Sequence, residues 1–139
     1  MKREIKFRGK RSKDDEWVYG GLVYRLPKHP EIIINEYITH QNGECEDNFV
    51  FYQDIYEDTI GQFTGLYDKN GREIYEGDIV YQRTYYGNRP CVVRFEEGTF
   101  MVGYHEGSST KHTPMLIKNS CVVIGNIHDN QELIKEEQQ

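Results

Sequence analysis

Polar and apolar positions alternate with a period of two along much of the chain. Glu4-Ile5-Lys6-Phe7-Arg8 opens this way, which places Ile5 and Phe7 on one face of a strand and Lys6 and Arg8 on the other. Lys13-Asp14-Asp15-Glu16 reads as the turn into a second strand at Trp17-Val18-Tyr19. Beyond a bend or bulge at Gly20-Gly21, Leu22-Val23-Tyr24 continues that strand. Pro27 and Pro30 then break regular structure. Ile32-Ile33-Ile34 and Tyr37-Ile38-Thr39 predict two short strands, Gln41-Asn42-Gly43-Glu44 a turn, and Phe49 to Tyr56 a further strand.

Punctuation sharpens in the second half. Ile60 to Leu66 leads into Asp68-Lys69-Asn70-Gly71, a turn whose Asn-Gly tolerates positive φ, and Glu73 to Asp78 feeds a strand at Ile79-Val80-Tyr81. Val92–Glu96 and Thr99–Tyr104 flank Glu97-Gly98, a two-residue hairpin signal. Glu106 to Pro114, rich in Gly, Ser and Thr, reads as a mobile loop. Cys121 to Ile127 reads as a strand covered on both sides. Asp129-Asn130-Gln131-Glu132 has capping-box spacing, which predicts a helix of one or two turns fraying into Glu136–Gln139.

Composition turns this pattern into a fold class. The chain has no alanine, five leucines and three methionines, against nine valines, thirteen isoleucines and eleven tyrosines. Branched and aromatic side chains suit a pleated, half-buried surface, whereas the missing residues are the best helix formers. The expectation is an all-β protein whose short twisted strands close into a small barrel. At 139 residues the size fits one domain that needs no metal or disulfide staple. No apolar run approaches the roughly 20 residues that span a bilayer, and no apolar stretch of the signal-peptide kind follows the charged start. Cys45, Cys91 and Cys121 cannot all pair, which favours free thiols in a reducing cytoplasm.

Four segments together resemble the YopX family of small phage and prophage proteins. They are Arg3–Gly9, Thr59–Gly71, Ile74–Val80 and Ile124–Leu133, which span both ends and the middle of the chain. The family often has proline where this chain has Gln131, and a basic residue where it has Tyr67. The resemblance implies an SH3-like barrel over residues 59–139, extra N-terminal strands over residues 1–58, and a bacterial host cell as the setting. It carries over no catalytic residues. Turn and bend chemistry accounts for Gly61, Gly65, Gly77 and Gly125, and for Asp78 and Asn126 as acceptors of backbone N–H groups.

Candidate chemistry follows from charge. The chain carries −6 overall, yet residues 1–13 hold Lys2, Arg3, Lys6, Arg8, Lys10, Arg11 and Lys13 against Glu4 alone, a local +6 on a body of −12. Lys6, Arg8, Lys10, Arg11 and Lys13 are the candidate nucleic-acid contacts, with Tyr85-Tyr86 beside Arg83 and Arg89 as stacking surface. Against this, basic residues on a first strand also protect its edge, and the acidic body repels phosphates. Glu44, Glu46, Asp47, Asp54, Glu57 and Asp58 crowd one region and form the candidate site of an acid–base enzyme, although a solvated acidic loop explains them more simply. His105, His112 and Cys121 lack metal-ligand spacing, so neither metal nor cofactor is expected, and Cys91 and Cys121 read as small core hydrophobes. The favoured reading is a non-catalytic module that binds a host or phage protein, with self-association at half-exposed strand edges as a further expectation.

Overall fold

The computed structural model describes residues 4–25, 29–39, 45–84, 87–106, 109–114 and 121–135. The expected turn at Gln41–Glu44, the Tyr85-Tyr86 pair and the frayed end Glu136–Gln139 lie outside them. The chain is all-β: among the described residues, eleven strands form two antiparallel sheets, with one short helix. It divides into two compact units, Met1–Gln62 and Phe63–Gln139.

The first unit is built from β1 (Phe7–Lys10), β2 (Trp17–Arg25), β3 (His29–Thr39) and β4 (Cys45–Asp54), each pairing with the next. The two short strands expected at Ile32–Ile34 and Tyr37–Thr39 are one continuous strand, β3. The first two residues of β5 (Gly61–Tyr67) pair with the other side of β1 at Arg8↔Gly61 and Phe7↔Gln62. Val18, Ile32 and Ile55 form the core, flanked by Phe7, Leu22, Ile34 and Ile60. This sheet also folds back on itself. Arg11 bridges Ile55, the Tyr56 N–H donates to the Lys10 carbonyl at 2.9 Å, and the Ser12 N–H donates to the Asp54 carbonyl at 3.0 Å. The end of β4 is thereby stitched to the end of β1. Gly9 sits inside that seam, where a Cβ would lie 2.6 Å from Ile55 Cδ1.

In the second unit the rest of β5 pairs with β6 (Glu73–Tyr75). β7 (Asp78–Thr84), β8 (Gly87–Glu96), β9 (Thr99–Glu106), β10 (Ser109–Pro114) and β11 (Val122–Asn126) form a sheet in the order β10-β9-β8-β7-β11. Ile74, Val80, Cys91, Val93, Val102, Tyr104, Cys121 and Val123 make its core, so Cys91 and Cys121 are core residues as their composition suggested. Glu97 and Gly98 have φ of 52° and 80°, the paired positive values of a type I′ hairpin turn. The chain closes with α1 (Glu132–Lys135), a single turn.

Three expectations are corrected here. The stretch read as a loop contains β10, whose residues pair along β9 from Ser109↔Glu106 to Pro114↔Met101. A Thr-rich polar segment has the branched residues a strand accepts, and the edge of β9 supplies its ladder. The segment read as covered on both sides is β11, an edge strand that among the described strands pairs with β7 alone, with Ile124 exposed. Nor, among the described residues, does this sheet close into a cylinder: β10 and β11 are its two ends.

Candidate functional site

The family-like segments resolve into turn chemistry. Asp68 is buried, and its Oδ1 accepts the backbone N–H groups of Asn70 and Arg72 at 2.9 and 2.8 Å while Oδ2 accepts that of Val123 at 3.0 Å. Burial alone pushes this carboxyl up, but the three hydrogen bonds and nearby Arg72 together outweigh it and hold the group below its ordinary value. Asp78 Oδ2 accepts the Tyr75 N–H at 2.8 Å, across the turn that holds Gly77 at φ 90°. Asn126 Oδ1 accepts from the N–H groups of His128 and Asp129, both at 2.9 Å, ahead of α1. Gly65 also has positive φ, 85°. Each of these side chains accepts at least one backbone N–H, and Asn126 Nδ2 also donates to Asp129 Oδ2 at 3.1 Å.

The basic segment is more internal than its alternation suggests. Arg8 is only 4% exposed, and its guanidinium lies 4.6 Å from the centroid of the Trp17 ring, on which Lys10 Nζ also sits at 5.6 Å. The register causes this, because Lys10 is opposite Trp17 and Arg8 opposite Tyr19. Lys6 Nζ pairs with Glu4 at 3.3 Å. Arg11 is held in a bidentate clamp by Asp14, at 2.9 and 2.6 Å, and donates to Gln53 Oε1 at 3.1 Å. Lys13 is exposed in the β1–β2 turn.

Arg11 and Lys13 meet a second set of residues that periodicity did not single out. A groove of about 530 Å³ lies in the first unit, bounded by Arg11–Lys13 on one side, by Val50–Asp54 of β4 on the other, and by Arg25 and Glu31. Val50, Phe51 and Tyr52 are 44, 42 and 47% exposed along it. The Arg25 guanidinium lies 4.2 Å from the Tyr52 ring centroid and 3.7 Å from Glu31 Oε2. His29 Nε2 lies 3.0 Å from Asp54 Oδ1. Stacked and paired cations beside exposed apolar side chains make a surface that offers both contact area and orientation.

Of the acidic candidates, the side chains of Glu44, Glu46 and Asp47 lie outside the described residues, Asp54 faces His29, and Glu57 and Asp58 are exposed in the 3₁₀ turn Glu57–Thr59. The side chains of Cys45, His105 and His112 are likewise outside the described residues. Burial foremost, and then the charge of Asp68, pushes the Cys121 thiol up and keeps it protonated. Among the described residues no group of three His, Cys, Asp or Glu side chains gathers to hold a metal ion, and no helix is long and apolar enough to cross a membrane.

The model of the YopX protein family matches residues 6–135. The chain belongs to the YopX family. Among solved structures, this YopX chain is similar to the crystal structure of protein EF1440 from Enterococcus faecalis, with a TM-score of 0.59 and 23% identity over 96% of this chain and 99% of that one. That likeness extends over both units of the YopX fold. A search among curated proteins gives no match.

The clamp at the mouth of the groove makes a testable statement about pH. The Arg11 hydrogen bond is the main cause that lowers the Asp14 carboxyl from its ordinary 3.8 to about 2, with the Glu16 N–H adding to it. A depressed value means the clamp is intact above the ordinary range and is lost as pH falls through about 2. Carboxyl titration by NMR should show this value for Asp14 in the native chain and a return toward 3.8 in Arg11→Ala.

Proposed function

We propose that this YopX chain is a non-catalytic protein-interaction module of the phage or prophage type, acting in the bacterial cytoplasm, and that the groove beside β4 is its contact surface. The observation that carries the reading is the run of three consecutive exposed apolar residues, Val50-Phe51-Tyr52, beside Arg25 stacked on Tyr52. Large exposed apolar side chains next to oriented cations recur where one protein recognises another. The SH3-like form of the second unit belongs to the same proposal, supported by its four-strand antiparallel meander β7–β10 with β11 added beside β7, and by the family resemblance.

A photo-crosslinking residue placed at Tyr52 of the full chain in bacterial cells tests this. The expected product is a discrete crosslinked protein band that weakens when Phe51→Ser is added. No protein crosslink at Tyr52, with the chain folded, overturns the reading. A second reading, single-stranded nucleic acid, is favoured by one feature only: Arg11, Lys13 and Arg25 meet an aromatic ring in the same groove. Crosslinking to nucleic acid in place of protein, falling steeply with salt, would select it.

A further inference from the structure

In the loop from β5 to β6 the backbone is tied down and one amide side chain is not. The Gly71 N–H donates to the Asp68 carbonyl at 3.0 Å and the Asp68 N–H to the Arg72 carbonyl at 2.8 Å, while the N–H groups of Asn70 and Arg72 share Asp68 Oδ1. Asn70 and Gly71 are both exposed. Among the described residues the Asn70 carboxamide takes no hydrogen-bond partner. Gly71 has φ 81°, and a Cβ there would meet nothing within 4 Å.

An asparagine followed by glycine carries its own electrophile and nucleophile. The glycine nitrogen is one five-membered ring closure from the asparagine Cγ, no side chain shields it, and the reaction is intramolecular. The loop restrains that closure. Neither Lys69 nor Asn70 has positive φ, so the turn closed onto the Asp68 carbonyl is type I, with ψ of about 0° at Asn70. To face Cγ the Gly71 nitrogen must swing away from this position, which pulls the N–H groups of Gly71 and Arg72 off Asp68.

We infer that Asn70 is a site of spontaneous modification, gated by the Asp68 clasp, whose isoaspartyl product unfastens β11. The Gly71 nitrogen bonds to Asn70 Cγ, the Cγ–Nδ2 bond breaks, and ammonia leaves with the proton of the Gly71 N–H. Water then opens the cyclic imide. Its addition at the side-chain carbonyl gives aspartate. Addition at the backbone carbonyl gives isoaspartate, whose link to Gly71 runs through the former side chain and is one methylene longer. That methylene falls between the N–H groups of residues 70 and 72, which must both reach the same Oδ1, so the clasp loses one of them. Asp68 Oδ2 accepts the Val123 N–H at 3.0 Å, so displacing the carboxylate loosens β11. The site uses no residue of the groove and stands apart from the interaction reading.

Peptide mapping of the full chain, kept folded in mildly alkaline buffer, tests this with a glutamate-specific protease, which separates Asn70 from Asn42. Isoaspartate should accumulate at position 70 several-fold more slowly than in the same chain unfolded in guanidinium chloride. Asp68→Asn, which keeps part of the clasp, should convert at a rate between the two. In the isoaspartyl fraction the Val123 amide should exchange its hydrogen several-fold faster by NMR. Asn70→Asp brings the charge without the methylene and should leave that exchange nearly unchanged. No conversion at Asn70 in the folded chain, a folded rate equal to the unfolded one, or an Asp68→Asn rate equal to the native one overturns the inference. So does Val123 exchange that is unmoved in the isoaspartyl fraction, or equally fast in Asn70→Asp.

Discussion

Replacing Asp68 with alanine should cost about 3 kcal/mol or more, because it strands three backbone donors at the junction of the Asp68–Arg72 turn and β11, each of which costs on the order of 1–3 kcal/mol when buried without a partner. The carboxylate accepts the N–H groups of Asn70, Arg72 and Val123, and the Lys69 N–H donates to the Cys121 carbonyl alongside at 3.1 Å. Asp68→Asn should recover part of this, since its amide oxygen can still accept from Asn70 and Arg72 while its amide nitrogen faces the Val123 N–H. Urea unfolding followed by near-ultraviolet circular dichroism measures both variants. The linkage has a definite sign. A native carboxyl held below its ordinary 3.8 contributes stability that is fully present above that value and is lost as pH falls through the lower native one. The native chain should therefore lose stability in acid more steeply than Asp68→Ala. Equal slopes, or a loss under 1 kcal/mol (roughly one ordinary hydrogen bond), would remove Asp68 from this role.

In the first unit the largest effect is expected at Gly20. A Cβ there would overlap the Ile33 carbonyl oxygen and press on Ile32 Cγ2 at 3.1 Å. The obstacle is backbone, so no side-chain rotation relieves it, and β2 must separate from β3 where Gly21 pairs with Ile33. Overpacking ordinarily costs about 1–3 kcal/mol, and a backbone collision belongs at or above the top of that range. Gly20→Ala should shift the thermal midpoint down by several degrees, on the order of 10 °C for a unit of this size. Gly21→Ala, whose Cβ would meet only Ile33 Cβ at 4.0 Å, should be nearly silent. If the two variants unfold alike, the close approach is not what fixes glycine at position 20.

These two sites show what could be read in the chain before its structure. Asp68-Lys69-Asn70-Gly71 and Glu97-Gly98 announce turns because the φ values they require are carried by the residues themselves, and the structure finds both. That Asp68 also holds Val123 could not be read, since the two are 55 positions apart and only the docking of β11 joins them. Arg8 makes the same point. Alternation placed it on an outer strand face, and it lies there in local terms, but the pairing of Lys10 with Trp17 brings the indole over it. The groove was the least legible feature, because Arg11 follows β1 while Arg25, Glu31 and Tyr52 come from three different strands, and no spacing links them. The Thr-rich β10 was misread for a related reason: its strand character comes from the neighbouring ladder of β9, and its polar composition suits either state.

The order of the chain has a consequence for biosynthesis. Every backbone pair among β1 to β4 lies within the first 62 residues, so that half can complete its ladders while the remainder is still on the ribosome. The other half cannot. Its turn at residues 68–72 is made early but waits for β11, whose Val123 N–H, 55 positions later, donates to Asp68. Any nascent chain halted before residue 122 would expose the margin of β7 and the apolar residues behind it, which makes late termination products of this protein natural targets for chaperones and proteases.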